Sequence, residues 1–219
     1  AVFVAGIAGA RDALYITRRD GAVQTLWRVR HAAGAKPEQV ALPFEGSVEV
    51  GASPRVDGAT LQLAGWTRYA KPWAYEGGTL KPLPFVAPAA FDAPADIVAR
   101  EVSYRSHDGV EVPMSILSRK DIKLDGNNPT ILYGYGAYGI TEDPFFNARI
   151  YAWLERGGVF AVAHVRGGGA FGKEWHEAGR KATKPNTWKD AIAAAEWLVA
   201  NKYTAAKRIG IYGGSAGGI

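Results

Sequence analysis

The strongest constraint in the sequence is a short strand-like run, Ile209-Gly210-Ile211-Tyr212, that passes without a spacer into Gly213-Gly214-Ser215-Ala216-Gly217. An apolar strand followed by five small residues reads as a sharp strand-to-helix turn, and it matches G-x-S-x-G in the context that motif needs. A residue on such a turn is held in a strained backbone conformation, and side chains at the flanking positions would collide with the strand and the following helix. The turn lifts the Ser215 hydroxyl above the sheet and aims the Ala216 N–H at the oxygen of an attacked carbonyl. Ser215 is therefore the candidate nucleophile, Gly213, Gly214 and Gly217 form its elbow, and Ala216 is a candidate oxyanion donor. The competing reading is a glycine-rich loop with an incidental serine.

The segments before this motif alternate in the same grammar. Apolar runs at Thr130 to Tyr133, Val159 to Val165 and Arg208 to Tyr212 are separated by helical segments near Phe146 to Glu155 and Thr187 to Ala200. Continuous apolar strands separated by helices predict a mostly parallel sheet with helices on both faces. Thr187-x-x-Asp190 reads as a capping box at the start of the second helix, with Ala191, Ala194, Ala195 and Leu198 as its buried stripe. That reading gives Asp190 a structural duty. Val102 to Ser106 and Val110 to Leu117 flank His107-Asp108-Gly109, an Asp-Gly turn that predicts a hairpin.

The first part of the chain reads differently. Short strands are expected at Ala13 to Arg18, Thr25 to Arg30, Gln39 to Leu42, Thr60 to Trp66, Trp73 to Tyr75 and Leu80 to Leu83. Leu14-Tyr15-Ile16, Leu26-Trp27 and Ala41-Leu42-Pro43 are echoed by Leu61-Gln62-Leu63, Pro72-Trp73 and Pro82-Leu83-Pro84, at an offset of roughly 41 to 47 positions, near the period of one propeller blade. A few meandering strands of a sandwich are the alternative. Between Phe85 and Asp96 the composition turns to Ala and Pro without periodicity, which reads as a linker. The expected division is a β region at 1–86, a linker at 87–98 and an α/β region at 99–219.

Composition narrows the chemistry. With 47% apolar and 11% aromatic residues, the 219-residue chain can bury a real core. It has no cysteine, which excludes a disulfide framework, a thiolate metal site and a cysteine nucleophile. The net charge of +5 is spread among acids, so nucleic acid is not an expected partner. No apolar run has the roughly 18 residues of a membrane span, so a soluble protein is expected, cytoplasmic or periplasmic. No metal or cofactor is expected.

Two further glycine runs fit the dinucleotide fingerprint G-x-G-x-x-G: Gly134-x-Gly136-x-x-Gly139 and Gly167-x-Gly169-x-x-Gly172. Their neighbours argue against nucleotide binding. Tyr135 and Tyr138 occupy positions where close approach to a pyrophosphate wants small groups, and Pro144 interrupts the helix that should follow. After the second run, no apolar-periodic helix starts until Thr187.

Leu132-Tyr133-Gly134-Tyr135-Gly136-Ala137-Tyr138-Gly139, Ala163-His164-Val165-Arg166-Gly167-Gly168-Gly169, Asn186-Thr187-Trp188-Lys189-Asp190 and Gly213 to Gly218, in this order, resemble the prolyl oligopeptidase family of serine peptidases. The resemblance is strong from Glu101 to Ile219. Gly65-Trp66-Thr67-Arg68 with Pro72 and Tyr75 weakly resembles the last propeller blades of that family, which implies that residues 1–86 are about two such blades. It also implies an α/β-hydrolase fold for 99–219, hydrolysis of short peptides through an acyl-enzyme on Ser215, and a propeller that restricts access. Ser215 matches the family nucleophile and the Ala216 N–H one oxyanion donor. Tyr135 matches the residue whose phenol supplies the second donor, and a neutral phenol suits that task. Tyr138 falls at an aromatic position that lines the substrate pocket of prolyl-specific members, where it either stacks on proline or anchors the loop.

The sequence departs from the family at Ala170, where Glu is frequent, and at Ala216, where Asn is frequent. Ala after the serine occurs in the oligopeptidase B branch, so strict proline specificity does not follow. An acylaminoacyl peptidase or esterase of the same fold, and a non-catalytic module that binds partners, are the alternatives. In α/β-hydrolases the acid and histidine follow the nucleophile, whereas His31, His107, His164 and His176 all precede Ser215. The base and acid are accordingly expected beyond residue 219, in the remainder of the same chain, and these 219 residues alone are expected to be inactive. His164, near the carboxyl end of a strand, is expected to pack rather than catalyse.

Overall fold

In a computed structural model describing residues 2–87 and 91–218, the chain divides into two units, Ala1–Asp92 with Asp143–Phe146, and Ala93–Glu142 with Asn147–Ile219. Residues 88–90 of the expected linker lie outside the described residues.

The first unit is built from alternation with period two. Its strands are β1 (Phe3–Gly9), β2 (Ala13–Asp20), β3 (Val23–Arg30), β4 (Glu38–Val40), β5 (Ser47–Gly51), β6 (Ala59–Gly65), β7 (Arg68–Glu76) and β8 (Thr79–Pro82). They form two four-stranded antiparallel sheets, β1-β2-β3-β4 and β5-β6-β7-β8. Ala13 and Tyr15 of β2, Leu26 of β3, and Ala59, Leu61 and Leu63 of β6 point into one shared core. Tyr15 meets Tyr75 edge-on at 5.9 Å. A one-residue slip in any of these strands would send its apolar set to solvent, so the alternation fixes the register. The sequence echo maps strand on strand: β2 corresponds to β6, and β3 with Trp27 to β7 with Trp73.

Strands β1 and β5 were not expected from the sequence. Both lie at sheet edges, and β1 carries Gly6 beside a register shift, with Val4 and Ile7 exposed. A bulged edge strand loses the alternation on which such a reading depends.

The second unit contains β9 (Ile97–Arg105), β10 (Glu111–Arg119), β11 (Thr130–Tyr133), α1 (Ala148–Glu155), β12 (Val159–Ala163), α2 (Lys173–Glu177), α3 (Pro185–Ala200) and β13 (Ile209–Tyr212). Its sheet runs β13-β11-β12-β10-β9. β11 pairs in parallel with β12 and with β13, but β10 pairs antiparallel with both β12 and β9. The expected mostly parallel sheet is therefore corrected to a mixed one. The Asp108-Gly109 turn, with Gly109 at φ +82°, is too short for a crossover and forces β9 and β10 antiparallel. Parallel order is left to the strands joined through helices. Val112, Met114 and Ile116 of β10, Leu132 of β11 and Val159, Ala161 and Ala163 of β12 share a core with Ala194 and Leu198 of α3.

The start of α3 also differs from the sequence reading. The helix begins at Pro185 after Lys184, with no side-chain cap. Thr187 and Asp190 lie inside it and are buried together with Ala193, Ala194 and Leu198, while Ala191 and Ala195 are only partly buried. Proline at the first helical position already suits a helix start, because its missing N–H is one the helix cannot use there. Asp190 is thus no capping residue. It occupies the buried stripe, and its duty is ionic. Helix α1 is capped as its sequence allows: the Asn147 side chain accepts a hydrogen bond from the Arg149 N–H at 2.9 Å.

Candidate active site

Strand β13 delivers Ser215 directly. Beyond Tyr212 the backbone turns through Gly213 and Gly214 into a 3₁₀ turn, Ser215–Gly218, closed by the Gly217 N–H donating to the Gly214 carbonyl at 2.9 Å. Ser215 has φ +53°, a left-handed conformation that costs a non-glycine residue about 1–2 kcal/mol. Two neighbouring glycines fit the turn by necessity. A Cβ on Gly213 would stand 2.0 Å from the Gly217 carbonyl oxygen, and one on Gly217 would stand 2.8 Å from the Gly134 oxygen and 3.1 Å from the Tyr135 Cα. Gly214 differs, because nothing lies within 4 Å of a Cβ there. Crowding does not explain its glycine. Ser215 is exposed, and Ala216 and Gly217 are half-buried.

The contact between Gly217 and Tyr135 joins the elbow to the loop that leaves β11. Tyr135 is half-buried, with its ring Cδ2 3.2 Å from the position a Gly217 Cβ would take. The loop then takes three left-handed residues, Gly136 (φ +65°), Tyr138 (φ +55°) and Gly139 (φ +66°). Tyr138 is 75% exposed.

The two glycine runs that imitate a dinucleotide fingerprint serve each other. A Cβ on Gly167 would lie 2.1 Å from the Gly136 oxygen, and one on Gly169 would lie 2.2 Å from the Gly139 oxygen. The Gly139 N–H donates to the Gly167 carbonyl at 3.1 Å, and the Gly169 N–H to the Ile140 carbonyl at 3.1 Å. Their glycines are explained by close backbone approach, with no phosphate required.

Behind these loops lies an ionic cluster that the sequence reading missed. Arg166 leaves the end of the β12 segment, and its guanidinium donates to Asp190 through Nη2 at 2.6 Å and through Nε at 2.9 Å. It also donates to Asp108 through Nη1 at 2.6 Å. Arg166 and Asp190 are buried. The Arg166 N–H and the Ser106 hydroxyl supply Asp190 with further donors. Hydrogen bonding to Arg166 lowers the pKa of the Asp108 carboxyl to about 2, and hydrogen bonding to Asp190 raises that of the guanidinium. Burial raises the Tyr104 hydroxyl, with the Asp190 charge adding to the effect. One signal was available in the sequence: Asp190 sits on the same helical face as Thr187, Ala194 and Leu198, and a carboxylate on an apolar stripe demands a cationic partner.

Each histidine is engaged. His164 is fully buried, and its Nε2 lies 2.8 Å from the Ser115 hydroxyl, which donates to Glu101 at 2.7 Å. His176 donates from Nδ1 to the Gly167 carbonyl at 2.8 Å. His107 contacts Ser106, and His31 contacts the Ala10 carbonyl. The elbow, the Tyr135 loop and the Arg166 loop are thus brought together, while the histidines bond elsewhere. No helix among the described residues is long and apolar enough to cross a membrane.

Comparison with known proteins follows the same residues. Residues 144–219 match the Prolyl oligopeptidase family. Prolyl endopeptidase of Elizabethkingia meningoseptica is 45% identical over 126 residues, which are 58% of this chain and 18% of that protein. The dual function macrocyclase-peptidase POPB of Galerina marginata is 47% identical over 127 residues, 58% of this chain and 17% of that protein. Among solved structures, prolyl oligopeptidase B from Galerina marginata bound to a 25mer macrocyclization substrate superposes with a TM-score of 0.91 at 32% identity, covering 99% of this chain and 31% of that one. The matched stretch therefore spans less than a fifth of the length of these curated relatives, and the whole chain about a third of the solved one.

Proposed function

We propose that this chain is part of a prolyl oligopeptidase-family protein, whose family model its residues 144–219 match, and that it carries the nucleophile and oxyanion side of a serine oligopeptidase that cleaves short peptides. The observation that carries the reading is Ser215 at φ +53°, on a turn whose Gly213 and Gly217 leave no room for a Cβ. Such strain is kept where it presents a nucleophile. In this proposal residues 1–86 are the last two blades of a β-propeller and residues 99–219 belong to the nucleophile-bearing part of an α/β-hydrolase domain; the linker expected at 87–98 ends earlier, because Ile97 and Val98 already pair with Arg119 and Ser118 in β9. Two four-stranded antiparallel meanders support the first assignment.

The reaction is acyl transfer. The Ser215 Oγ attacks the carbonyl carbon of the scissile peptide while a histidine takes its proton. The carbonyl oxygen becomes an oxyanion, held by the Ala216 N–H and the Tyr135 hydroxyl, and the amine leaves with the proton returned by the base. Water then cleaves the acyl-enzyme by the same route. The closeness of Tyr135 to Gly217 supports its role as the second donor, and Tyr138, exposed on the same loop, is available to the side chain on the acyl side of the bond. We assign the base and its carboxylate to parts of the whole protein outside these 219 residues, since the four histidines here bond elsewhere.

The test is covalent. A fluorophosphonate should label Ser215 in the whole protein, Ser215→Ala should remove both label and turnover, and short peptides should be cut with a higher kcat/KM than simple acyl esters that lack a peptide moiety. An intact protein that resists the label would fit the non-catalytic alternative, and preference for acyl esters would fit the esterase.

A further inference from the structure

The carbonyl of Gly136 is a junction between the candidate oxyanion loop and the start of α3. Gly136 is buried at φ +65°, and a Cβ there would stand 2.3 Å from Thr187 Cγ2 and 2.7 Å from Val165 Cγ2. Its carbonyl oxygen accepts a hydrogen bond from the Lys184 Nζ at 2.8 Å. Lys184 is half-buried and lies immediately before Pro185, the first residue of α3. Among the described residues its ammonium donates to this carbonyl and forms no ion pair with a carboxylate. Burial lowers its pKa. A lysine that gives up part of its hydration to hold one backbone oxygen marks that oxygen as worth fixing.

What the oxygen fixes is the residue before it. Tyr135 lies between Gly134 and Gly136, two residues that restrain the backbone little by themselves. On one side Tyr135 rests against Gly217 of the elbow. On the other, the chain is pinned at Gly136 by Lys184, and α3 is tied to the same place by Thr187, whose hydroxyl donates to the Arg166 carbonyl at 2.7 Å. We propose that Lys184 is a positioning residue for Tyr135: its ammonium holds the Gly136 carbonyl so that the phenol is set before the oxyanion forms. This rests on the oxyanion role given to Tyr135 above. An oxyanion donor works to the extent that it need not reorganise during the reaction, and a tyrosine between two glycines needs an external anchor to meet that condition.

The whole protein and a double-mutant cycle test this. Tyr135→Phe should lower kcat by about 100-fold or more, as expected for loss of one oxyanion donor. Lys184→Met, which keeps the apolar stem and removes the donor, should lower kcat by about tenfold with KM little changed, the size expected for one charged hydrogen bond. Lys184→Arg should recover most of that loss. In the Tyr135→Phe background, Lys184→Met should cost little more, because its effect acts through the missing phenol. Additive losses, or a full kcat in Lys184→Met, would overturn the positioning role while leaving Tyr135 in place. An unchanged kcat in Tyr135→Phe would instead overturn the oxyanion reading and the inference with it. Should Lys184→Met fail to fold, the cycle with Lys184→Leu, which also lacks a donor, gives the same decision.

Discussion

At the scale of single residues, the glycines around Ser215 are not equivalent, although a pattern match treats them alike. Gly213 cannot accept a side chain, because its Cβ would overlap the Gly217 carbonyl at 2.0 Å, while Gly214 has open space. Gly213→Ala should therefore displace the elbow, destabilise it by about 1–3 kcal/mol, and abolish fluorophosphonate labelling of Ser215 in the whole protein. Gly214→Ala should retain labelling. Comparing the two labelling rates checks this directly. If both variants label alike, crowding at Gly213 is not what shapes the turn.

At the scale of elements, the bond between the β12 segment and α3 is ionic as well as apolar. Arg166, Asp190, Asp108 and Ser106 come from three separate stretches of chain, and the pair at their centre is buried. Replacing Asp190 by Ala should cost about 3–5 kcal/mol, because Arg166 would be left buried without its main counter-charge; denaturant unfolding measures this. The Asp108 end gives a pH signature. The hydrogen bond from Arg166 holds its carboxyl at about 2 in the folded protein, below the usual carboxylate range, so its contribution is complete above about pH 4 and is lost as pH falls towards 2. Asp108 is partly exposed, so the contribution is modest. Asp108→Asn should flatten stability over that window and leave its slope at neutral pH unchanged, as thermal melts across pH would show.

At the scale of the whole molecule, the histidines decide what these 219 residues do alone. His164 is buried against Ser115, His176 is held by Gly167, and His31 and His107 bond within their own neighbourhoods. The purified 219-residue chain should therefore show no turnover of proline or arginine peptide amides, and a turnover abolished by Ser215→Ala would refute that expectation. Much of the molecule was legible beforehand, for reasons that are local. Alternation in β2, β3, β6 and β7, the Asp-Gly hairpin between β9 and β10, and the apolar runs of β11, β12 and β13 are written in neighbouring residues, because strand periodicity and turn chemistry act over a few positions. The glycine elbow was legible for the same reason. The edge strand β1 was not, since the register shift beside Gly6 breaks its alternation, and the short edge strand β5 was missed as well. Nor were the roles of Arg166, Asp190 and Lys184. The sequence by itself determined where most of the strands form and which serine follows the last of them in a run of small residues. Only the tertiary structure decided that Asp190 leaves the helix cap for a buried ion pair, that two nucleotide-like glycine runs pack on each other, and that a lysine holds the Tyr135 loop, because each depends on groups far apart in the chain meeting where water has been excluded.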